Sequence, residues 1–185
     1  MLKEVTTYHL EMLNPAELRG KHAPTGDFQV RRAEIPCPEL NRFLYASVGG
    51  DWYWTDRLSW SYSKWLDYLN RPELETWVGY RSGTPAGYFE LETQAGGSVE
   101  IAYFGLLPSF IGKQLGGALL TAAVERAWAS GAARVWVHTC TLDGPHALKN
   151  YLARGFRQFE EEKEWKTLPE CPPGSLARST GLGGY

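Results

Sequence analysis

Hydrophobic and polar positions along this 185-residue chain change period several times, and each change marks an element. "TTYHLEML" (6–13) and "DFQVRRAEI" (27–35) alternate and carry β-branched or aromatic residues, as strands do. In "PELNRFLYASVGG" (38–50), Leu40, Phe43, Leu44 and Val48 line one side of a helix that Pro38 opens and Gly49-Gly50 stops. "SYSKWLDYLN" (61–70) is a second short helix with Trp65, Leu66 and Leu69 inward. "ETWVGYRSGTPAGYFELE" (75–92) reads as two strands broken at Ser82-Gly83-Thr84, and "SVEIAYFGLLP" (98–108) as a longer one. A helix over about 112–130 buries Leu115, Leu119, Leu120, Val124, Ala127 and Trp128 and leaves Thr121 and Glu125 wet. "ARVWVHT" (133–139) is nearly continuously apolar, as expected of a strand covered on both faces. "DGPHALKNYLARG" (143–155) gives a helix with Asp143 as N-cap and Gly155 as stop; "FRQFEEEKEWK" (156–166) gives a last, partly solvated strand. The order ββααβββαβαβ predicts an α/β (α+β) domain, one sheet with helices on its faces. Residues 1–168 form that domain, and the Pro-, Gly- and Ser-rich 169–185 a flexible tail.

Composition narrows the function. A net charge of −2 provides no global positive field for nucleic acid or an anionic membrane. No apolar run approaches the roughly 20 residues of a membrane span. The N-terminus has Glu4 and Glu11 and lacks the basic and unbroken apolar regions of a signal peptide. Cys37, Cys140 and Cys171, odd in number and widely spread, suit reduced thiols in a cytoplasm. His9, His22, His138 and His146 have no ligand spacing, so no metal is expected. Aromatic content is what stands out: eight Trp and ten Tyr, with Trp52, Trp54, Trp60 and Trp65 in one short region.

"PSFIGKQLGGALL" (108–120) places Gly112, Gly116 and Gly117 around Lys113 and Gln114 at the start of a helix. The first amides of a helix have no intrahelical partner and sit at the positive end of its dipole, so glycines there expose an anion cradle. Alone, the stretch suits close helix–sheet packing equally well. It lacks the Gly-Lys-Ser/Thr ending of a P-loop and the spacing of the dinucleotide fingerprint.

Its context decides more. An apolar strand ending in Leu-Leu-Pro, the glycine-bearing turn, a Leu-Leu helix, a strand and a helix ending "NYLARGF" resemble the GNAT superfamily of acetyl-CoA-dependent N-acyltransferases over about residues 75–160. The family's loop, Arg/Gln-x-x-Gly-x-Gly/Ala, has Ile111 in its first position and Gln114 in its first glycine position, while Gly116 fits the last. Tyr151, Gly155 and Phe156 match the Tyr-x-x-x-Gly-Phe-like end of the later helix, and Asp143 stands where an Asn often opens it.

The resemblance implies a mostly antiparallel central sheet with helices on both faces. It also implies acetyl-CoA as cosubstrate: pantetheine along Phe104, Gly105, Leu106 and Leu107, and pyrophosphate on Gly112, Lys113, Gln114, Leu115, Gly116 and Gly117, with Asp143 near the cofactor. Glu100 stands eleven residues before Ile111, where the histone-acetylating branch places its base, and reads equally as a solvated or ion-paired strand-end glutamate. Glu90 and Glu92 are the next candidates for base or for holding a cation. Tyr151 matches the family's proton donor to the coenzyme A thiolate. His138 reads as a satisfied core histidine and Cys140 as a small core thiol. Trp52, Tyr53, Trp54 and Trp60, with Asp51 or Asp56, read as a mixture of acceptor-pocket wall and core.

The leading expectation is an N-acetyltransferase acting on a primary amine of a small molecule or a peptide, with homodimers frequent in the family. A non-catalytic acyl-CoA-binding sensor on the same fold, or a protein-interaction module using exposed tryptophans, stands beside it. Thiol release over an amine panel separates the first two, and stabilisation by coenzyme A separates both from the third.

Overall fold

The computed structural model describes residues 1–23 and 27–174. Seven strands form one sheet: β1 (Leu2–Met12), β2 (Phe28–Arg32), β3 (Leu74–Arg81), β4 (Thr84–Thr93), β5 (Ser98–Leu106), β6 (Arg134–Cys140) and β7 (Arg157–Thr167). Their order is β2-β3-β4-β5-β6-β1-β7. β5 and β6 run parallel, and every other neighbouring pair is antiparallel. Helices α1 (Pro38–Gly49), α2 (Tyr62–Leu69), α3 (Leu115–Ala129) and α4 (Ala147–Ala153) complete the element order that the pattern predicts. Ser61 accepts from Lys64 N to cap α2. Ser82 and Gly83, both at positive φ, make the two-residue β3–β4 turn.

Two layers of core hold the sheet. On one face Leu119, Leu120, Ala123, Val124 and Ala127 of α3, with Tyr151 of α4, pack on Leu10, Met12, Phe89, Leu91, Val99, Ile101, Val135 and Val137. Each fully buried Leu or Val contributes about 1.5–3 kcal/mol. On the other face α1 sets Leu44 and Val48 against Val78 and Tyr88.

Several expectations change. α3 begins at Leu115, later than expected, because a 3₁₀ turn over Pro108–Phe110 and a left-handed Gly112 precede it. Thr121 is buried: its hydroxyl donates to Gly117 O (2.8 Å) and accepts from Lys21 N (2.9 Å). β6 is not apolar on both faces, since Val135, Val137 and Thr139 are buried while His138 between them is exposed. Asp143 does not cap α4, whose N-cap is His146. Residues 169–174 turn back on the domain, where Gly174 N donates to Gly50 O (2.9 Å); the rest of the expected tail, 175–185, lies outside the described residues. Among the described residues no helix is long and apolar enough to cross a membrane.

Candidate active site

The site begins where two parallel strands part. β5 pairs with β6 only from Ser98–Arg134 to Glu100–Trp136. At that point β5 carries a bulge against β4: Leu91 faces Ile101 and Glu90 faces Tyr103, so Ala102 is the extra residue. A bulge bends and twists its strand, which turns β5 away from β6. Beyond it, among the described residues, β5 has a strand partner only on the β4 side, and its other backbone edge faces a groove of about 1210 Å³. Phe104, Gly105 and Leu106 line that groove, while Leu107 turns its amide to Ala86 O (2.9 Å).

α3 points its N-terminus into the same groove. Gln114, in the left-handed region at φ 60°, is the N-cap, and no side chain caps the helix. The free first-turn amides therefore remain available to an anion. Gly112, Gln114, Gly116 and Gly117 line the groove; the Leu115 side chain is buried, and Lys113 extends over the Phe110 ring. Two long side chains close on Gly117: a Cβ there would sit 2.6 Å from the Arg154 guanidinium and 2.8 Å from the Lys21 side chain, so both would have to move aside. The Arg154 guanidinium thus lies beside a helix start that the sequence credits with Lys113 alone, and the Lys21 stem crosses the same point on the groove wall. Asn150 donates from Nδ2 to Gly116 O (3.3 Å) and ties α4 to the same turn. These three residues lie far from the glycine stretch in sequence, and only folding collects them.

The aromatic stretch divides. Trp52, Tyr53, Trp54, Asp51 and Asp56 line the groove, and Trp54 packs between Tyr45 and Tyr103 at ring-centroid distances of 5.5 and 5.0 Å. Trp60 belongs to the helix layer, against Trp65 and Tyr68. Glu90, expected at the substrate, is instead fully buried and ion-paired to Arg57 at 3.0 Å. Tyr68 donates to the same carboxylate (2.7 Å) and Asn41 to its other oxygen (3.1 Å). Arg57 lies over the Tyr68 and Tyr103 rings at 3.9 and 4.1 Å while it pairs with Glu90. A carboxylate so completely neutralised and enclosed is an anchor for the aromatic wall. Glu92 is likewise engaged, in a two-pronged pair with Arg71 at 3.0 and 3.1 Å.

Glu100 is only 13% exposed, and two side chains meet its carboxylate. Gln94 Nε2 donates to it (2.8 Å), while Trp136 Nε1 donates to the Gln94 carbonyl (2.9 Å). His138 Nδ1 lies 3.2 Å from its other oxygen. Among the described residues that line the groove, His138 is present and Glu100 is not. The histidine is 47% exposed, which corrects its reading as a core residue. The hydrogen bond to Glu100 pushes its pKa above the ordinary histidine value. Tyr151 lines the groove from α4 with its ring edge-on to Phe104, and burial pushes its phenol well up, so it stays protonated at neutral pH. Cys140 also lines the groove; burial first and then Asp143 raise its thiol pKa, the opposite of an activated nucleophile. Asp143 closes the turn after β6 by accepting from Thr139 Oγ1 (2.7 Å) and Cys140 N (2.9 Å) at the groove's wall. His9, Glu160 and Glu162 bring ligand-type atoms within 4.8 Å across β1 and β7, a grouping that spacing along the chain hides; both carboxylates are exposed and the grouping carries no metal assignment.

A family model for the acetyltransferase (GNAT) family matches residues 37–156. Among curated proteins, none matches. A GCN5-related N-acetyltransferase from Kribbella flavida is similar in structure at TM-score 0.64 and 20% identity, over 95% of this chain and 62% of that one. A tandem GNAT protein from the clavulanic acid biosynthesis pathway gives 0.58 at 15% identity, over 86% and 52%. An aminoglycoside acetyltransferase from an uncultured soil metagenomic sample, in complex with trehalose, gives 0.57 at 16% identity, over 69% and 86%. At such identities the likeness is one of fold. The chain spans 62% or less of the first four solved structures it matches.

Proposed function

This chain belongs to the GNAT acetyltransferase family, and from that premise we propose that it transfers an acetyl group from acetyl-CoA to the primary amine of a small molecule. One observation carries the reading. The uncapped N-terminus of α3, the free edge of β5 and the Tyr151 side chain all open on one groove.

The residues present fit the cosubstrate. The amides of 112–117 hold its pyrophosphate, and Lys21 and Arg154 supply the positive charge that Ile111 and Gln114 do not. The backbone of Phe104 to Leu106 pairs with its pantetheine amides as an added strand would. The thioester supplies the activated acetyl group. Tyr151, kept neutral by burial, donates a hydrogen bond toward the leaving sulfur. Trp52, Trp54 and Tyr103 enclose the acceptor, and Asp51 and Asp56 favour a cation among those rings. A small amine suits such walls better than a polybasic peptide.

The test follows free thiol release from acetyl-CoA over a panel of small amines, with thermal unfolding in parallel. At 100 times Kd a ligand stabilises by about 2.7 kcal/mol. Stabilisation with thiol release for at least one amine is expected. Stabilisation without release would leave an acyl-CoA sensor, and neither would overturn the reading altogether.

A further inference from the structure

Resting on that acyltransfer reading, we infer that His138, not Glu100, accepts the proton of the acceptor ammonium, and that Glu100 is its positioning residue. Three observations converge. His138 stands on the groove wall, half exposed, whereas Glu100 stands behind that wall. The 3.2 Å contact commits Nδ1–H to the Glu100 carboxylate, so neutral His138 presents Nε2 as an acceptor. Glu100 is itself fixed, since Gln94 donates to one oxygen while Trp136 orients Gln94. A carboxylate held from behind, orienting an imidazole that faces the substrate space, selects the tautomer and stabilises the imidazolium that forms. The location also suits a base. Glu100 and Trp136 are the last pair before β5 and β6 separate, and His138 is two residues further along the opened strand.

The charged and titratable groups facing His138 come from four directions. Glu100 on β5 is the nearest. From β1, the His9 ring lies 6.1 Å away, with its own Nε2 3.7 Å from Glu162 of β7. Asp143 after β6 favours the protonated form and Lys166 of β7 opposes it, with Glu100 the larger influence. Cys140 follows on the same strand, its thiol pushed up and therefore uncharged near neutrality.

Atoms and electrons balance. One ammonium N–H bond breaks and its proton goes to Nε2, directly or through one water. The freed lone pair forms the C–N bond at the thioester carbonyl, the C–S bond breaks, and its electron pair leaves on sulfur. The second N–H proton ends on that sulfur, and His138 returns the first to solvent. An ammonium ion and acetyl-CoA thus yield an amide, a free thiol and one proton.

The experiment measures kcat/KM for acetyl-CoA turnover against pH in the full chain, with an amine that the wild type accepts, and follows the His138 imidazole by NMR. In the wild type the rate should fall in acid through a pKa above about 6.5, matched by the NMR titration. His138→Gln should lose about 10²–10⁴-fold in rate at neutral pH and lose that acid limb. Glu100→Gln should keep the limb but displace it, with the NMR pKa, toward lower pH. A His138→Ala variant partly rescued by added imidazole would guard against a folding defect in His138→Gln. The inference is overturned if His138→Gln retains the limb, or if Glu100→Gln abolishes it while the NMR titration of His138 stays in place. No thiol release by the wild type with any amine of the panel would overturn the acyltransfer reading and this one together; active wild type with an indifferent His138 would overturn this one alone.

Discussion

Trp54 fills the space that a side chain at Gly49 would need: a Cβ there would lie 2.1 Å from the indole. Gly49 has an ordinary helical φ of −91°, so alanine suits its backbone and the conflict is steric alone. Gly49→Ala should push Trp54 out from between Tyr45 and Tyr103 and cost about 1–3 kcal/mol. The KM of the acceptor amine should rise about tenfold or more, a loss of about 1.4 kcal/mol in binding, with the acetyl-CoA KM unchanged. Steady-state kinetics in both substrates checks this, and an unchanged amine KM would remove Trp54 from the pocket wall.

Gly116 tests the cradle. A Cβ there meets only ordinary contacts, 3.7 Å from Asn150 and 3.8 Å from Leu106, so a larger side chain leaves the fold intact while it enters the groove. Gly116→Phe should raise the acetyl-CoA KM at least tenfold with little change in Tm. Calorimetric titration with coenzyme A provides the binding constant directly; unaltered affinity would contradict an anion held on these amides.

Tyr151→Phe removes one hydroxyl from a buried ring and leaves its packing against Phe104 and Phe156. Turnover should fall about 10²-fold while acetyl-CoA affinity holds. Full turnover in this variant would take the phenol out of the mechanism.

Arg57 and Glu90 test the wall's anchor. Truncating one partner of a buried ion pair strands the other charge, at a cost of about 3–5 kcal/mol. Arg57→Ala should therefore lower Tm by about 6–20 °C for a chain of this size. Thermal unfolding by circular dichroism measures it, and a shift under about two degrees would mean that water reaches Glu90.

Glu75 carries pH dependence. Arg126 hydrogen-bonds both of its oxygens, at 2.9 and 2.7 Å, and that pairing, with Trp77 and Arg32 beside it, holds the carboxyl below its ordinary range. A depressed folded-state pKa adds stability that is complete above the unfolded value of about 4.3 and is lost as pH falls through the folded value. Glu75→Gln should thus be less stable than wild type at neutral pH, with the gap closing in acid. Urea denaturation over a pH series tests it, and a gap constant with pH would mean no linkage at this carboxyl.

Local chemistry wrote the elements of this fold legibly. Pro38 and Gly49-Gly50 bound α1, Ser61 caps α2, and Ser82-Gly83 turns a hairpin, because backbone preference and side-chain period act over a few residues. The glycine stretch likewise announces an open helix start. Cross-strand neighbours are another matter. That β1 inserts between β6 and β7, that Lys21 and Arg154 meet at Gly117, and that Glu90 vanishes into Arg57 all join residues dozens of positions apart. Glu100 and His138 are the sharpest case. Along the chain one looks like a base and the other like core; the parting of two parallel strands puts the imidazole in front of the carboxylate. Periodicity reports which face a residue occupies, but what stands between it and the substrate depends on strand order and register, and those are fixed only when the whole sheet closes on its core.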